Sequence, residues 1–275
     1  MRRGVAAAVG CTISDVRQPS SRCQSITIQP RLGVLRRKVV GRRIVAVDRV
    51  GKRVVLRLDG GASIVIEPRM SGLVLLADPP DAVHLRVVFL LSGAVQQLLF
   101  WDQRGLGVVR LCSPSEFEAI YGPAKLGPDA LAISAAALRE RLARSRRAIK
   151  VALLDQHVVA GIGNLYASEI LHRAAIHPAK RCDRLKPRHW TLLHAEIGIV
   201  LREAIEHQGS TLRDGTYRIA RNDPGKFQFC HRVYQRQGQP CLRCGRAEIV
   251  RIVQAQRSTF FCPRCQKASR KAGDL

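Results

Sequence analysis

Residues 157–171 read HVVAGIGNLYASEIL, and this stretch decides the fold of the second half of the chain. Gly161 and Gly163 separate two helical segments by a tight turn that ends at Asn164. Backbone amides at such a turn and at the following helix start can bind a phosphate, and Asn164 would add a side-chain amide. An ordinary helical hairpin with a glycine corner fits the same pattern.

Basic residues lie just upstream of this turn, in the sequence ARSRRAIK at 143–150. Arg144, Arg146, Arg147 and Lys150 favour DNA binding over the plain structural interpretation. The whole chain agrees, because 46 Lys and Arg against 21 Asp and Glu give a formal net charge of +25. This surplus disfavours a neutral metabolic enzyme and indicates a polyanion as the partner.

Helix signals continue on both sides of the turn. SPSE at 113–116 is a Ser-x-x-Glu capping box, and Ser134 begins a second helical segment. The longest helix is predicted from Pro187 to His207, with one apolar stripe formed by Trp190, Leu193, Ile197, Leu201 and Ile205. These signals predict a helical domain over 113–222.

Residues 42–110 follow another pattern, with short runs of Val, Ile and Leu that end at Gly, Asp, Pro or Ser. Runs of this length predict the strands of an antiparallel sandwich or barrel, which we place at 1–112. In the first 40 residues, MRRGVAAAVG would finish a helix, and CTISDVRQ and QSITIQP would be strands. The expected fold class is α+β with several domains.

Two Cys-x-x-Cys pairs lie near the C-terminus, Cys241 with Cys244 and Cys262 with Cys265, separated by 17 residues. Such pairs bring four thiolates to the corners of a tetrahedron, which suits one structural zinc ion. The sequence between them supplies two short strands and a turn, so we expect a zinc ribbon over 235–275 whose folding depends on the metal. Two disulfides or an iron–sulfur cluster are the alternatives. A long loop over 209–234 would lead into the ribbon.

The remaining five cysteines are irregularly spaced, as is typical of reduced thiols in a cytoplasmic chain. The sequence has no run of 18 apolar residues, and we therefore expect no membrane span. The start, MRRGVAAAVGC, imitates a secretory leader, but its apolar part is short and Ala-rich. We expect a soluble monomer of the cytoplasm that associates with the nucleoid.

Three residues of the strand-rich region are candidate contacts, each a weak signal when taken alone. Met70 precedes a Ser-Gly pair and looks like a loop tip that could wedge into a base stack. A half-buried loop Met is the alternative interpretation. Lys52 and Arg104 would otherwise be solvated surface cations.

In order along the chain, these segments resemble the formamidopyrimidine-DNA glycosylase and endonuclease VIII family over nearly the whole length. The matching segments are RRGV, VGRRIVAVDRVGK, RMSG, WDQRG, KVALLDQHVVAGIGNLYASEIL, IHP, GSTLRD, QGQPC and QRSTFFCPRCQK. The resemblance implies an N-terminal β-sandwich, a helix–two-turn–helix domain and a C-terminal zinc finger, with damaged duplex DNA bound between the two main domains. The formamidopyrimidine branch, which removes oxidised purines such as 8-oxoguanine and cleaves abasic sites, is the closer branch.

The resemblance also implies roles for the residues at matching positions. Lys52 matches a lysine that acts near the lesion and in the elimination steps. Met70 matches the residue that fills the gap left by the extruded base, and Arg104 matches the arginine that faces the orphaned partner base. Arg257 matches an arginine that binds phosphates and assists δ-elimination.

Further matches concern the DNA backbone and the metal. Lys150 and Asn164 match phosphate binders beside the flipped nucleotide, and His84 matches a DNA contact in the sandwich. Arg146, in the basic stretch before Lys150, is counted with them as a DNA contact. The matching metal ligands are Cys241, Cys244, Cys262 and Cys265.

The chain departs from the family pattern at its start and in one loop. Family members begin with a proline, whose amine attacks the sugar C1′, followed by a glutamate that protonates the ring oxygen. No residue here matches either one, since the pattern begins at Arg2. We favour an upstream Met-Pro-Glu start, because the lysine, turn and zinc finger are intact; a truncated lesion-binding product is the alternative. Gly105 and Leu106 replace an arginine and a phenylalanine wedge, so Leu106 would be a smaller wedge.

Three function classes therefore compete. The first is an enzyme of base excision repair, both DNA glycosylase and abasic-site lyase, and the order of the matching segments favours it. The second is a lesion-binding protein of the same fold without catalysis. The third, a zinc-ribbon RNA-binding protein, would explain the charge and the cysteines but not the strand-rich region or GIGNLYASE.

Overall fold

The computed structural model describes residues 1–211, 217–218 and 223–268. The chain divides into two compact units, which we call the first unit, Met1–Lys125 with Gln208–Gln228, and the second unit, Leu126–His207 with Phe229–Leu275. The expected domain limits of 1–112, 113–222 and 235–275 stay predictions. The expected loop over 209–234 and the GSTLRD segment lie partly outside the described residues.

The strands of the first unit form two sheets, as the alternating apolar runs predict. One sheet has five strands in the order β2-β9-β5-β4-β3, and the other has four in the order β1-β7-β8-β6. Pairing is antiparallel except between β2 and β9. The strands are β1 (Thr12–Arg17), β2 (Thr27–Gln29), β3 (Ile44–Val50), β4 (Arg53–Leu58), β5 (Ser63–Glu67), β6 (Gly72–Leu75), β7 (Leu85–Ser92), β8 (Gln97–Asp102) and β9 (Val108–Cys112).

The main core of this unit takes side chains from both sheets, which identifies the architecture as a β-sandwich. Strand β8 illustrates the two-residue period, since Leu98 and Phe100 join that core while Leu99 and Trp101 join a smaller cluster. The five-stranded sheet contributes residues such as Leu56, Ile64, Ile66 and Val109 to the same main core.

Three helical segments accompany these sheets. A 3₁₀ helix covers Arg2–Ala8, and α2 covers Pro114–Tyr121. The predicted capping box is confirmed, because the Ser113 hydroxyl accepts from the Glu116 backbone N–H and the Glu116 carboxylate accepts from the Ser113 backbone N–H. Helix α1, Leu32–Val39, was not predicted, since two turns rich in arginine carry too short an apolar pattern.

The second unit contains the predicted helices and the predicted two-stranded hairpin. Ser134 caps α3 as expected, by accepting from the Ala137 N–H at 3.1 Å. Strands β10 and β11 pair in the antiparallel sense. The elements are α3 (Ala135–Leu142), α4 (Ile149–Leu153), α5 (Asn164–Arg173), a 3₁₀ turn (Cys182–Arg184), α6 (Pro187–Glu206), β10 (Val250–Gln254) and β11 (Arg257–Phe261), and a further 3₁₀ turn (Phe227–Cys230) crosses the division between the units.

Helix α6 packs against α3 and α5 along its apolar stripe. Arg173 of α5 also forms ion pairs with Glu196 and Glu203 of α6, at 2.9 and 2.7 Å. Among the described residues, none of the helices is long and apolar enough to span a membrane.

Candidate functional site

Two loops of the first unit carry Met70 and Arg104, and a buried hydrogen-bond network joins these loops. The Asp102 carboxylate, fully buried at the end of β8, accepts from the Ser71 hydroxyl at 2.6 Å and from the Gly107 N–H at 2.7 Å. The Ser71 hydroxyl accepts in turn from the Arg104 N–H at 3.0 Å. Because buried polar groups that are fully bonded rigidify their surroundings, the β5–β6 and β8–β9 loops keep a fixed geometry.

The side chains on these fixed loops are exposed to solvent. Met70 is 73% exposed, Leu106 is 40% exposed, and Arg104 is exposed as well. Folding gains little from an apolar side chain that stays in water. The backbone beneath is tightly packed, because a Cβ on Gly107 would lie 2.4 Å from the Phe100 ring. A rigid base with an exposed apolar tip is the arrangement that a wedge between bases requires.

Lys52 and His84 lie elsewhere in the first unit. Lys52 is exposed in the two-residue turn between β3 and β4, where Gly51 has a φ of 56°. The ring of His84 is half-buried, with Nδ1 at 2.9 Å from an Asp81 carboxylate oxygen and an edge-on contact to Trp101. Since Asp81 takes Nδ1, Nε2 is the ring nitrogen that would reach a ligand.

Lys150 is the centre of the candidate site in the second unit. Its side chain is 1% exposed, and its ammonium donates to Asn164 Oδ1 at 2.6 Å, Thr259 Oγ1 at 2.7 Å and the Ser258 carbonyl at 3.1 Å. Asn164 Nδ2 donates to the same carbonyl at 3.0 Å. These bonds use all three ammonium hydrogens and join the first residue of α5 to β11. We call Lys150, Asn164, Ser258 and Thr259 the lysine junction.

The charge of this junction is sensitive to its surroundings. Burial lowers the pKa of Lys150 to about 8, and the positive charge of Arg257 adds to the lowering. The ammonium is therefore charged at neutral pH and loses its proton as the pH rises through about 8. Arg257 itself is exposed at the start of β11, after a turn in which Ala255 and Gln256 have φ values of 44° and 60°.

The loop before α5 is organised by Gln156, a residue that the sequence pattern did not single out. Its Oε1 accepts from the Gly161 N–H at 3.0 Å, and its Nε2 donates to two carbonyls of the same loop. Helix α5 then begins at Asn164 with Gly163 as N-cap, which offers no side chain to the first-turn amides. Because these amides have no partner within the helix, an anion can accept hydrogen bonds from them.

The basic stretch between α3 and α4 presents three arginines to solvent. Arg144, Arg146 and Arg147 are all exposed in this loop. Arg147 also pairs with Asp155 at 2.8 Å, which fastens the loop to the chain that leads into the Gly161 turn. Exposed cations that flank an anion-binding helix start are typical of a nucleic-acid surface.

The four cysteines of the two Cys-x-x-Cys pairs converge, with all their sulfur atoms within 4.8 Å of one another. Cys241 Sγ lies 3.9 Å from Cys265 Sγ, and Cys244 Sγ lies 3.8 Å from Cys262 Sγ. Tetrahedral zinc with bonds of about 2.3 Å places its sulfur ligands roughly 3.8 Å apart, so the residues fit one structural zinc ion. All nine cysteines, which the structure describes, have free thiols, so the disulfide alternative is wrong.

Comparison with known sequences places the chain in a family. The model of the formamidopyrimidine-DNA glycosylase N-terminal domain matches residues 1–109, that of the family's H2TH domain matches 126–216, and that of the zinc finger found in FPG and IleRS matches 238–268. A formamidopyrimidine-DNA glycosylase of Chloroflexus aurantiacus is 44% identical over 233 residues, covering 83% of this chain and 81% of the relative. That of Bacillus subtilis is 39% identical over 234 residues, covering 84% and 83%. The chain belongs to the formamidopyrimidine-DNA glycosylase family.

Solved structures of this family have the same fold. Lactococcus lactis Fpg in a complex with DNA that contains an abasic site gives a TM-score of 0.85 at 31% identity, covering 97% of both chains. The MutM (Fpg) protein of Thermus thermophilus gives 0.82 at 34% identity, covering 95% of this chain and 94% of that chain. The predicted family, fold class and four-cysteine zinc site are confirmed, and neither alternative function class gains support.

Glu169, within the family motif GIGNLYASE, is a buried anchor that sequence reasoning missed. It is 2% exposed, and its carboxylate accepts from the backbone N–H groups of Arg232, Val233 and Tyr234 at 2.9, 3.0 and 2.8 Å. Burial raises its pKa, against the effect of these amides. The sequence signal for this anchor is an acidic residue, Glu169, within the apolar part of helix α5. Glu169 fixes the chain that enters the zinc finger to α5.

The zinc finger should depend on its metal, because its buried core consists of little more than Val233, Ile249, Phe260 and the ligand cysteines. Cys262→Ser should therefore lose the zinc and unfold this region, while Cys23→Ser should keep one zinc per chain. Elemental analysis after dialysis against metal-free buffer measures both. A full equivalent of zinc in Cys262→Ser would contradict the four-cysteine site.

Glu169→Gln should weaken the attachment of the zinc finger, because an amide offers one acceptor oxygen where three buried N–H groups need acceptors. We expect the free energy of unfolding to fall by about 1–3 kcal/mol. Chemical denaturation measures the change, and Glu140→Gln, at an exposed position of α3, is the matched control. Equal midpoints for the two variants would refute the anchoring role.

Proposed function

We propose that this protein is a DNA glycosylase of base excision repair that removes oxidised purines from duplex DNA and then cleaves the abasic site. The lysine junction carries this proposal, because it sets Arg257, a buried ammonium and the unpartnered amides of α5 beside one another. This is a site for the phosphates of a distorted strand. Relatives from Lactococcus lactis were solved with DNA that contains an abasic site and with DNA that contains Fapy-dG.

Excision requires the damaged nucleotide to leave the base stack, which costs a few kcal/mol. In the proposal, the exposed tip of Met70 fills the space that the base leaves. Arg104 faces the orphaned partner base, and Leu106 adds a small apolar wedge. The Ser71–Asp102 network fixes the backbone of the two loops that carry these side chains, so insertion needs little reordering of the loops.

The backbone of the bent strand would be held by cations and amides. Asn164, Arg146 and Arg257 contact phosphates in this proposal, and His84 contributes through Nε2. Lys150 acts through its charge and by orienting Asn164, since a direct phosphate contact requires DNA to displace one of its three acceptors. The net charge of +25 predicts a steep loss of affinity with added salt.

The chemistry proceeds through an amine that attacks C1′ while the base leaves, which gives a Schiff base between enzyme and sugar. Proton removal then drives β-elimination and δ-elimination, in which Lys52 and Arg257 take part. No residue of the printed sequence is assigned as the attacking amine. Zinc has no chemical role here and holds the hairpin that carries Arg257. The proposed setting is a monomer in the cytoplasm, associated with the nucleoid.

Borohydride trapping tests this function directly, because reduction makes a Schiff base covalent. A duplex with one 8-oxoguanine opposite cytosine should yield an incised strand and, with borohydride, a protein–DNA adduct. Peptide mapping of that adduct identifies the amine. Binding without incision or adduct would contradict an enzyme, and preference for structured RNA over lesion duplex would contradict a DNA repair protein.

Asn164→Ala should weaken binding to lesion and undamaged duplexes alike, since phosphate contacts carry no sequence information. The expected loss is about 1–3 kcal/mol of binding free energy. Fluorescence anisotropy at fixed salt measures it, with zinc content as the check on folding. Gln18→Ala, which truncates an exposed amide of the first unit, serves as control. Unchanged affinity in Asn164→Ala would refute the phosphate role.

A further inference from the structure

A second group of metal-ligating side chains lies in the second unit and shares no residue with the four-cysteine site. Glu203, His207 and Cys230 bring a carboxylate oxygen, an imidazole nitrogen and a sulfur within 4.8 Å of one another. All three residues are partly buried, so solvent reaches the group without separating its members. Neither the family resemblance nor the repair chemistry uses any of them.

The local structure holds two of these side chains on one helical face. Glu203 lies in the last turn of α6, and the His207 N–H donates to the Glu203 carbonyl at 3.0 Å as the helix ends. Side chains four residues apart lie above one another on a helix. The same i, i+4 spacing lets paired ligands on a helix bind one metal ion.

Arg173 orients the carboxylate of Glu203 through a hydrogen bond. Arg173 Nη1 donates to Glu203 Oε2 at 2.7 Å, while Arg173 Nε is held by Glu196 at 2.9 Å. A carboxylate oxygen of Glu203 lies within 4.8 Å of the ligand atoms of His207 and Cys230. A hydrogen bond of this kind to a ligating carboxylate is the outer contact that orients metal ligands in proteins.

Cys230 completes the group from a distant part of the chain. Its sulfur lies within 4.8 Å of a Glu203 carboxylate oxygen and of a His207 ring nitrogen. At this separation a cation can bind the sulfur in place of the thiol proton. The proton then leaves to solvent, and the metal–sulfur bond takes its place.

We propose that Glu203, His207 and Cys230 form a second zinc site with three protein ligands and a fourth position open to water. One thiolate, one imidazole and one carboxylate are a ligand set that suits Zn²⁺. With three mixed ligands in place of four thiolates, this site binds zinc more weakly than the zinc finger does.

The position of the ligands gives the metal a structural effect. His207 and Cys230 immediately flank the segment from Gln208 to Phe229, nearly all of which belongs to the first unit. A metal ion bound to both His207 and Cys230 would hold the two ends of this segment together and reduce their conformational freedom. Zinc at this site therefore links the start and the end of the segment from Gln208 to Phe229.

Cobalt titration of the zinc-loaded protein tests the proposal. Protein dialysed to one zinc per chain should take up one further Co²⁺, with a thiolate-to-cobalt charge-transfer band whose intensity corresponds to one sulfur ligand. The band should vanish in Cys230→Ser, and His207→Gln should weaken Co²⁺ binding at least tenfold. Cys23→Ser, which removes a partly exposed thiol outside the group, should titrate like the parent.

Two results would overturn the site: absence of a further equivalent in the parent protein, or an unchanged band in Cys230→Ser. Retention of the first zinc and an unchanged circular dichroism spectrum establish that a variant is folded. If Cys230→Ser fails this check, His207→Gln becomes the test of the site, because it removes one proposed ligand and leaves Cys230 and the four zinc-finger cysteines unchanged. Unchanged Co²⁺ affinity in a folded His207→Gln then refutes the proposal.

Discussion

The buried ammonium of Lys150 is the interaction on which the candidate site depends. Removing a charge from water costs several kcal/mol, and this burial is tolerable only when every hydrogen finds an acceptor. Asn164, Thr259 and the Ser258 carbonyl supply those acceptors. Since one of them begins α5 and the other two lie in β11, satisfying the lysine also fixes the start of the helix against the zinc-finger hairpin.

The other features of the second unit support this junction from outside. Zinc holds the two ends of the ribbon together, and Glu169 binds the chain that enters the ribbon. Gln156 shapes the loop before α5. The first unit follows the same principle with Asp102, whose buried carboxylate fixes the loops of Met70 and Arg104. In both units, satisfied polar groups beneath the surface position the side chains that would meet DNA.

Sequence alone predicted the features whose cause is local. The capping box at Ser113, the strand alternation in 42–110, the stripe of α6 and the Cys-x-x-Cys pairs each depend on residues a few positions apart. The sequence does not predict helix α1, because its apolar positions are few and its first turn has no capping side chain. The resemblance to the family supplied the expected roles of Lys52, Arg104 and Arg257, which no periodicity indicates.

Sequence reasoning failed where partners are remote. The sequence predicts a phosphate-binding role for Lys150, and that role stays a prediction. Two of its three acceptors lie 108 and 109 residues further along, so nothing local indicates that its three hydrogens are already used. Glu169 and Asp102 were missed for the same reason, since their partners come from other segments. The pair Glu203 and His207 is visible as i, i+4 spacing, whereas Cys230 joins it only through the fold.

The titration of the Lys150 ammonium, followed by nitrogen NMR and assigned with Lys150→Gln, tests directly whether this ammonium is buried and whether DNA phosphates bind beside it. We expect a pKa of about 8 for Lys150 in the free protein, because burial and Arg257 disfavour the charge. Adding a duplex with an abasic site should raise this pKa, since a phosphate beside the junction stabilises the ammonium. A pKa near 10.5 in the free protein would contradict the buried junction, and a value unaffected by bound DNA would contradict its role at the phosphates.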